Sequence, residues 1–85
     1  MAETIDEPVS VDLLSNHLAQ TVFPWMMRWH GRKYTMTKVG LHYTTREGRT
    51  LMHYFSVTDK TSCFKLSFDT ETLGWRLLEV ANVDF

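Results

Sequence analysis

One cysteine, two prolines and four glycines in 85 residues already put several classes of protein out of reach. The lone Cys63 cannot close an intrachain disulfide and offers too few thiolates for a structural zinc site, which points to a reducing compartment and a cytoplasmic location. No apolar run approaches the ~18 residues that would span a bilayer. The opening residues, Met1-Ala2-Glu3-Thr4-Ile5-Asp6-Glu7, are acidic and lack the apolar stretch of a signal peptide. There is no internal repeat, no low-complexity tract and no motif that demands a particular chemistry. No catalytic residue, cofactor or metal site is therefore expected, and the chain reads as non-enzymatic.

What the chain has in quantity is large side chains: three Trp, five Phe and three Tyr. A domain of this size buries only about 60% of its unfolded surface, so its core must be dense in rings. Residues 1–6, polar and terminal, are expected to be disordered, and 7–85 to form one small β domain. Net charge is −1, yet all nine Lys and Arg lie between Arg28 and Arg76, a window holding only four acids, while the other six acids flank it. A basic middle with acidic ends is one footprint of an anionic partner; charged strand edges that prevent association are the other explanation.

Alternation of apolar residues is the dominant pattern. Val9, Val11 and Leu13 at period two predict a first strand over Glu7–Leu14, although Ser10 as an N-cap and the stripe Val11, Leu14, Leu18 also fit a helix to Gln20. Phe23, Trp25, Met27 and Trp29 share one parity, and Gly31-Arg32 suits a two-residue turn that sets Trp29 opposite Tyr34 and Met27 opposite Met36. Pro24 lacks a ladder donor and belongs at an edge or strand start. Parity then changes, from Tyr34 and Met36 to Val39, Leu41 and Tyr43, which predicts a bulge around Thr37-Lys38. A three-residue loop Arg46-Glu47-Gly48 would set Tyr43 opposite Leu51, Leu41 opposite His53 and Val39 opposite Phe55. Asp59-Lys60 would close the next hairpin with Phe55 opposite Phe64, and the polar turn from Asp69 would set Phe68 opposite Trp75 and Leu66 opposite Leu77. The fold class is mainly β: an antiparallel meander of five to six strands, strongly curved or closed into a small barrel.

Pro24-x-x-Met27-x-Trp29-x-Gly31-Arg32-x-Tyr34, then Phe55-x-Val57, Phe64-x-Leu66-x-Phe68-Asp69 and Trp75-x-Leu77-x-Glu79-Val80, resemble a family of short bacterial proteins of unknown function. That family is built around an aromatic-x-Trp-x-Gly-Arg-x-Tyr motif, and the likeness spans residues 7 to 80. Met27 stands where the pattern has an aromatic residue, and Ser15 to Thr21 has no counterpart. The resemblance implies a small bacterial β domain with no established activity, so no catalytic residue is carried over. Relatives encoded beside error-prone DNA polymerase genes imply a connection with DNA repair.

Two outer surfaces remain as candidates. Arg28, Lys33, Lys65 and Arg76 share outward parity, with Arg32 at a turn tip and Tyr54 outward nearby. Cations that meet phosphates beside a ring that stacks a base are the elements of a nucleic-acid platform. Met26, Met52 and Leu78, with Tyr54 and Val80 on the same outer side, would form an apolar patch for a protein partner or a second copy of the chain. A protein-interaction or accessory module, homodimeric or bound to another subunit, is the leading expectation; a nucleic-acid-binding barrel is the alternative. His30, His42 and His53 raise a zinc site, but His53 points with the core set, His42 points outward opposite Met52, and His30 sits at a distant turn; a two-residue Glu47-Gly48 turn would instead pair His42 with His53. Cys63 reads as an ordinary outward thiol beside Lys65. The rings are expected to fill the interior and leave little cavity.

Overall fold

A computed structural model describes residues 2–16, 18 and 21–82. Seven strands form one antiparallel sheet: β1 (Ala2–Asn16), β2 (Thr21–Trp29), β3 (Arg32–Thr35), β4 (Lys38–Glu47), β5 (Thr50–Thr58), β6 (Ser62–Asp69) and β7 (Trp75–Asn82). Their order across the sheet is β3-β2-β1-β7-β6-β5-β4. The first segment is thus a strand, not a helix. It starts earlier than expected: residues expected to be disordered pair with β7, Ala2 opposite Ala81 and Thr4 opposite Glu79, because the edge of β7 supplies the ladder partners that a polar terminus otherwise lacks.

β1 serves two neighbours in turn. Its first half, to Val9, pairs with β7, and its second half, from Ser10, pairs with β2. At the opposite side of the molecule β3 and β4 occupy the two edges of the sheet, yet only Met36 and Thr37 separate them in sequence. Met36 donates its amide to Trp25 O at 2.8 Å and Thr37 donates to Thr58 O at 2.7 Å, so this joint touches both edges at once. The sheet is curled until its ends meet at that point, and no ladder joins β2 to β4. Inside the curl the Tyr34 ring of β3 meets Phe64 of β6 edge-on at 5.4 Å, although three strands separate them in the sheet.

Three of the hairpin turns differ from their expected places, and the last does not. His30 and Gly31, both at positive φ (52° and 76°), are the central pair of the first, the requirement of a type I′ turn. Met27 therefore faces Tyr34, and Trp29 faces Arg32. The next turn is Gly48-Arg49, with Gly48 at φ 63° and Glu47 facing Thr50. In the third, Asp59 Oδ1 accepts the amides of Thr61 and Ser62, and Val57, not Phe55, faces Phe64. In the last, Asp69 Oδ1 accepts the amides of Glu71 and Thr72, and Phe68–Trp75 and Leu66–Leu77 pair as expected. Moving the first and third turns by one position changes partners two at a time and keeps inward parity. The two-residue Gly48-Arg49 turn in place of a three-residue loop instead reverses the parity expected for Leu41 to Tyr43.

Bulges make the larger corrections. Trp25 is skipped in the ladder to β1, which turns it outward and buries Pro24; Pro24 lies beyond the reach of β3, where no donor is required. In β4 the register shifts at Gly40. The Gly48-Arg49 turn has set His42, expected outside, opposite Phe55, so that Leu41 and Tyr43, expected inside, are exposed; the Gly40 shift returns Val39 to the inner face opposite Val57. Leu78 is the extra residue of a bulge in β7, so Val80 turns inward opposite Phe64 instead of joining the outer side. The core is Met27, Met36, Phe55, Val57, Phe64, Leu66, Trp75 and Leu77. Full burial of each such side chain contributes about 1.5–3 kcal/mol.

Candidate functional site

The two bulges at Trp25 and Gly40 lie on either side of the Met36–Thr37 joint. A bulge bends its strand, and here the bends send the first half of β2 and the whole of β4 apart, leaving a fork in the curled sheet. Beneath the fork is a cavity of about 600 Å³, within the range of pockets that hold small ligands. This corrects the expectation of a filled interior. Trp29 and Phe64 remain in the packed region, while Phe55, Phe68 and Trp75 form the cavity floor.

The floor is a connected set of rings. Phe55 and Trp75 have centroids 5.5 Å apart, and Phe68 and Trp75 4.8 Å apart. His42 lies flat on Phe55 at 4.2 Å with 4° between planes. Its Nε2 is 2.8 Å from Nδ1 of His53, one imidazole donating and the other accepting. Desolvation by burial, then the neighbouring His53, hold the His42 pKa below its ordinary value, so His42 is favoured neutral against an apolar wall. Leu13 and Val22 form the far rim, each about half exposed. The cavity is thus an aromatic hollow with one polar element.

The structure brings His42 and His53 together, as only the alternative turn allowed, but as diagonal neighbours: the Gly48-Arg49 turn sets His42 opposite Phe55 and Thr44 opposite His53. His30 stays apart: it stacks on Trp29 at 4.5 Å, and its Nε2 meets Glu7 Oε1 at 2.8 Å. Glu7 also accepts the Trp29 Nε1 hydrogen at 3.2 Å, and this bond, followed by that from His30, lowers its pKa. Among the described residues no group of three His, Cys, Asp or Glu side chains is placed to hold a metal ion. Cys63 is half-buried opposite Thr58 and Ala81.

The basic candidates run in a row around the outside of the curl, on β3, β2, β7 and β6, rather than at one spot. Lys33 and Arg28 are cross-strand neighbours, and Arg28 meets Asp12 at 3.4 Å. Arg76 donates to Asp6 Oδ1 at 2.9 Å and to Asp6 O at 2.7 Å, clamping a bulge where Asp6 has a φ of 53°. Lys65 is 3.8 Å from Glu79, and Arg32 lies over the Tyr34 ring at 5.7 Å. Tyr54 donates to Glu47 at 2.8 Å, which raises its pKa, and stacks on Tyr43 at 5.1 Å.

The apolar candidates are equally dispersed. Met26 faces Asp12, whereas Leu78 lies beside the part of β1 between Thr4 and Glu7, about 16 Å or more away at ~3.3 Å per residue. Met52 is on β5 opposite Asp69, beyond the opposite side of Leu78. The cavity, which sequence reasoning missed, had one usable signal: a glycine inside a strand pattern marks a bulge, and Gly40 is that glycine. Among the described residues no helix is long and apolar enough to cross a membrane. Comparison with protein-family models, curated proteins and solved structures finds no match.

Proposed function

We propose that this chain is a non-enzymatic interaction module that receives an apolar, ring-sized group of a protein partner in the hollow at its fork. The observation that carries this reading is the cavity itself: an aromatic floor of Phe55, Phe68 and Trp75, open beside exposed Leu13 and Val22. Exposed apolar walls around a concave floor are what a binding surface needs. The dispersal of Met26, Met52 and Leu78 moves the contact surface from the outer face to the fork.

Titration with a neutral apolar dye such as Nile red tests the hollow. Saturable binding of one dye per chain is expected, weakened about tenfold by Val22→Glu, since a carboxylate on the rim must be desolvated against the dye. Val22 is exposed enough for the fold to tolerate the change. Absence of saturable binding to the wild-type chain would defeat the proposal.

A second reading, binding of single-stranded nucleic acid, draws on the stacked Tyr43–Tyr54 pair on the outer face. Against it, Arg28, Lys65 and Arg76 are each matched to a carboxylate. Anisotropy of a labelled oligonucleotide across a salt series decides it: phosphate contacts require affinity to fall steeply with salt, and Tyr54→Ala should remove most of what remains.

A further inference from the structure

The fork has a second property besides its hollow. β4 is a ten-residue edge strand whose only ladder is to β5, and among the described residues its other backbone edge makes no hydrogen bond to main chain. β3 covers β2 only from Met26 to Trp29, so the first half of β2 also shows an edge on the cavity side. Unpaired edges are templates for another strand, and proteins guard against this with charge, proline or shortness. The middle of β4, Gly40-Leu41-His42-Tyr43-Thr44-Thr45, has no Lys, Arg, Asp or Glu and no proline. Leu41 and Tyr43 are exposed on its outer side, while Val39 and His42 line the cavity on its inner side.

We infer that the fork takes an extended segment of a protein partner, which adds as a strand to the unpaired edge of β4 and turns apolar side chains at alternate positions into the cavity. This rests on the reading of the hollow as an apolar receptor and adds the main-chain recognition that reading lacks. The two components are those of strand addition: backbone hydrogen bonds hold the segment and pockets select every second side chain. Period-two alternation sends one set of residues inward, over Phe55 and Trp75, and the other outward beside Leu41 and Tyr43. Charge indicates the flanks. Lys38, Arg46 and Arg49 stand at the two ends of the edge against a single acid, Glu47, and that carboxylate already accepts the Tyr54 hydroxyl. The complementary segment is therefore apolar at alternate positions and acidic at its ends.

A labelled peptide, Glu-Val-Thr-Phe-Thr-Phe-Thr-Val-Glu, is the probe, used with the full chain in fluorescence anisotropy. Binding is expected, at least tenfold weaker when both Phe are replaced by Ser. N-methylation of alternate peptide amides distinguishes pairing from simple apolar contact: methylating one alternate set should abolish binding, and methylating the other should leave it within about threefold. Equal effects from the two sets, while Nile red still binds, would overturn strand addition and leave the apolar receptor standing. Failure of both peptide and dye would overturn both. Concentration-dependent self-association that the peptide does not displace would assign the edge to a second copy of this chain and overturn the inference.

Discussion

Leu73 has a φ of 60° at a position about 69% exposed, the left-handed conformation that costs an L-residue roughly 1–2 kcal/mol and a glycine little. Its side chain is mostly in water, so little packing would be lost on removing it. Leu73→Gly should raise unfolding stability by up to about 1 kcal/mol after the glycine's own entropy cost, read from the urea midpoint. His42 offers a test by pH. Its pKa is depressed below 6.5 in the folded chain, so below that pH the unfolded chain binds the extra proton more readily. Stability from neutral His42 is present above about pH 6.5 and is lost as pH falls through the lower folded value. Urea midpoints between pH 7.5 and 5 should fall further for the wild-type chain than for His42→Asn. At this scale the Trp29-x-Gly31-Arg32-x-Tyr34 motif was visible in sequence, but its partners were not. Glu7, 22 residues from Trp29, meets it only because β1 lies beside β2.

Among elements, β4 decides what the cavity wall is made of. A Cβ on Gly40 would meet nothing closer than Ser56 O at 3.7 Å, so the bulge does not depend on glycine's small size. Gly40→Ala should fold normally and hold Nile red as the wild-type chain does. Deleting Gly40 is a different change: Val39 opposite Val57 and Leu41 opposite Ser56 would then run on in one register with the inward set of β4 unchanged, and the bend that opens the fork would be lost. Loss of dye binding with an unchanged far-ultraviolet β spectrum is the expected result. Inward parity of β5 and β6 and the Phe68–Trp75 pairing were legible because alternation records them directly. Strand number was not, since the expected five to six became seven when one long strand broke at Met36-Thr37 into β3 and β4. The positions of the turns were not, since His30-Gly31 and Gly31-Arg32 both satisfy a two-residue loop and preserve parity. The bulges at Trp25, Gly40 and Leu78 arise from long-range curvature, which a local pattern marks only by a stray glycine or a doubled leucine.

For the molecule as a whole, stability is concentrated away from the fork. Leu66 and Leu77 face each other with no exposed surface, beside Phe64 and Val57, at the closed side of the curl. Leu77→Ala should cost about 2–5 kcal/mol in chemical denaturation, a large fraction of what a domain this small possesses. The fork can therefore carry exposed apolar groups because the packing that holds the fold lies elsewhere. The antiparallel hairpins were legible, whereas the β1–β7 ladder and the opening between β3 and β4 were not: the opening depends on where two bulges stand relative to one short joint.

The double service of β1 has a consequence for biosynthesis. Among the described residues its leading half finds a ladder only against Trp75 to Ala81, made more than sixty residues after it, so during translation it must wait beside a growing sheet with its hydrogen-bonding groups held by water. Pairing across such separations slows folding. A nascent polypeptide halted before Trp75 should expose that leading half to protease, and synthesis through Asn82 should protect the two strands together.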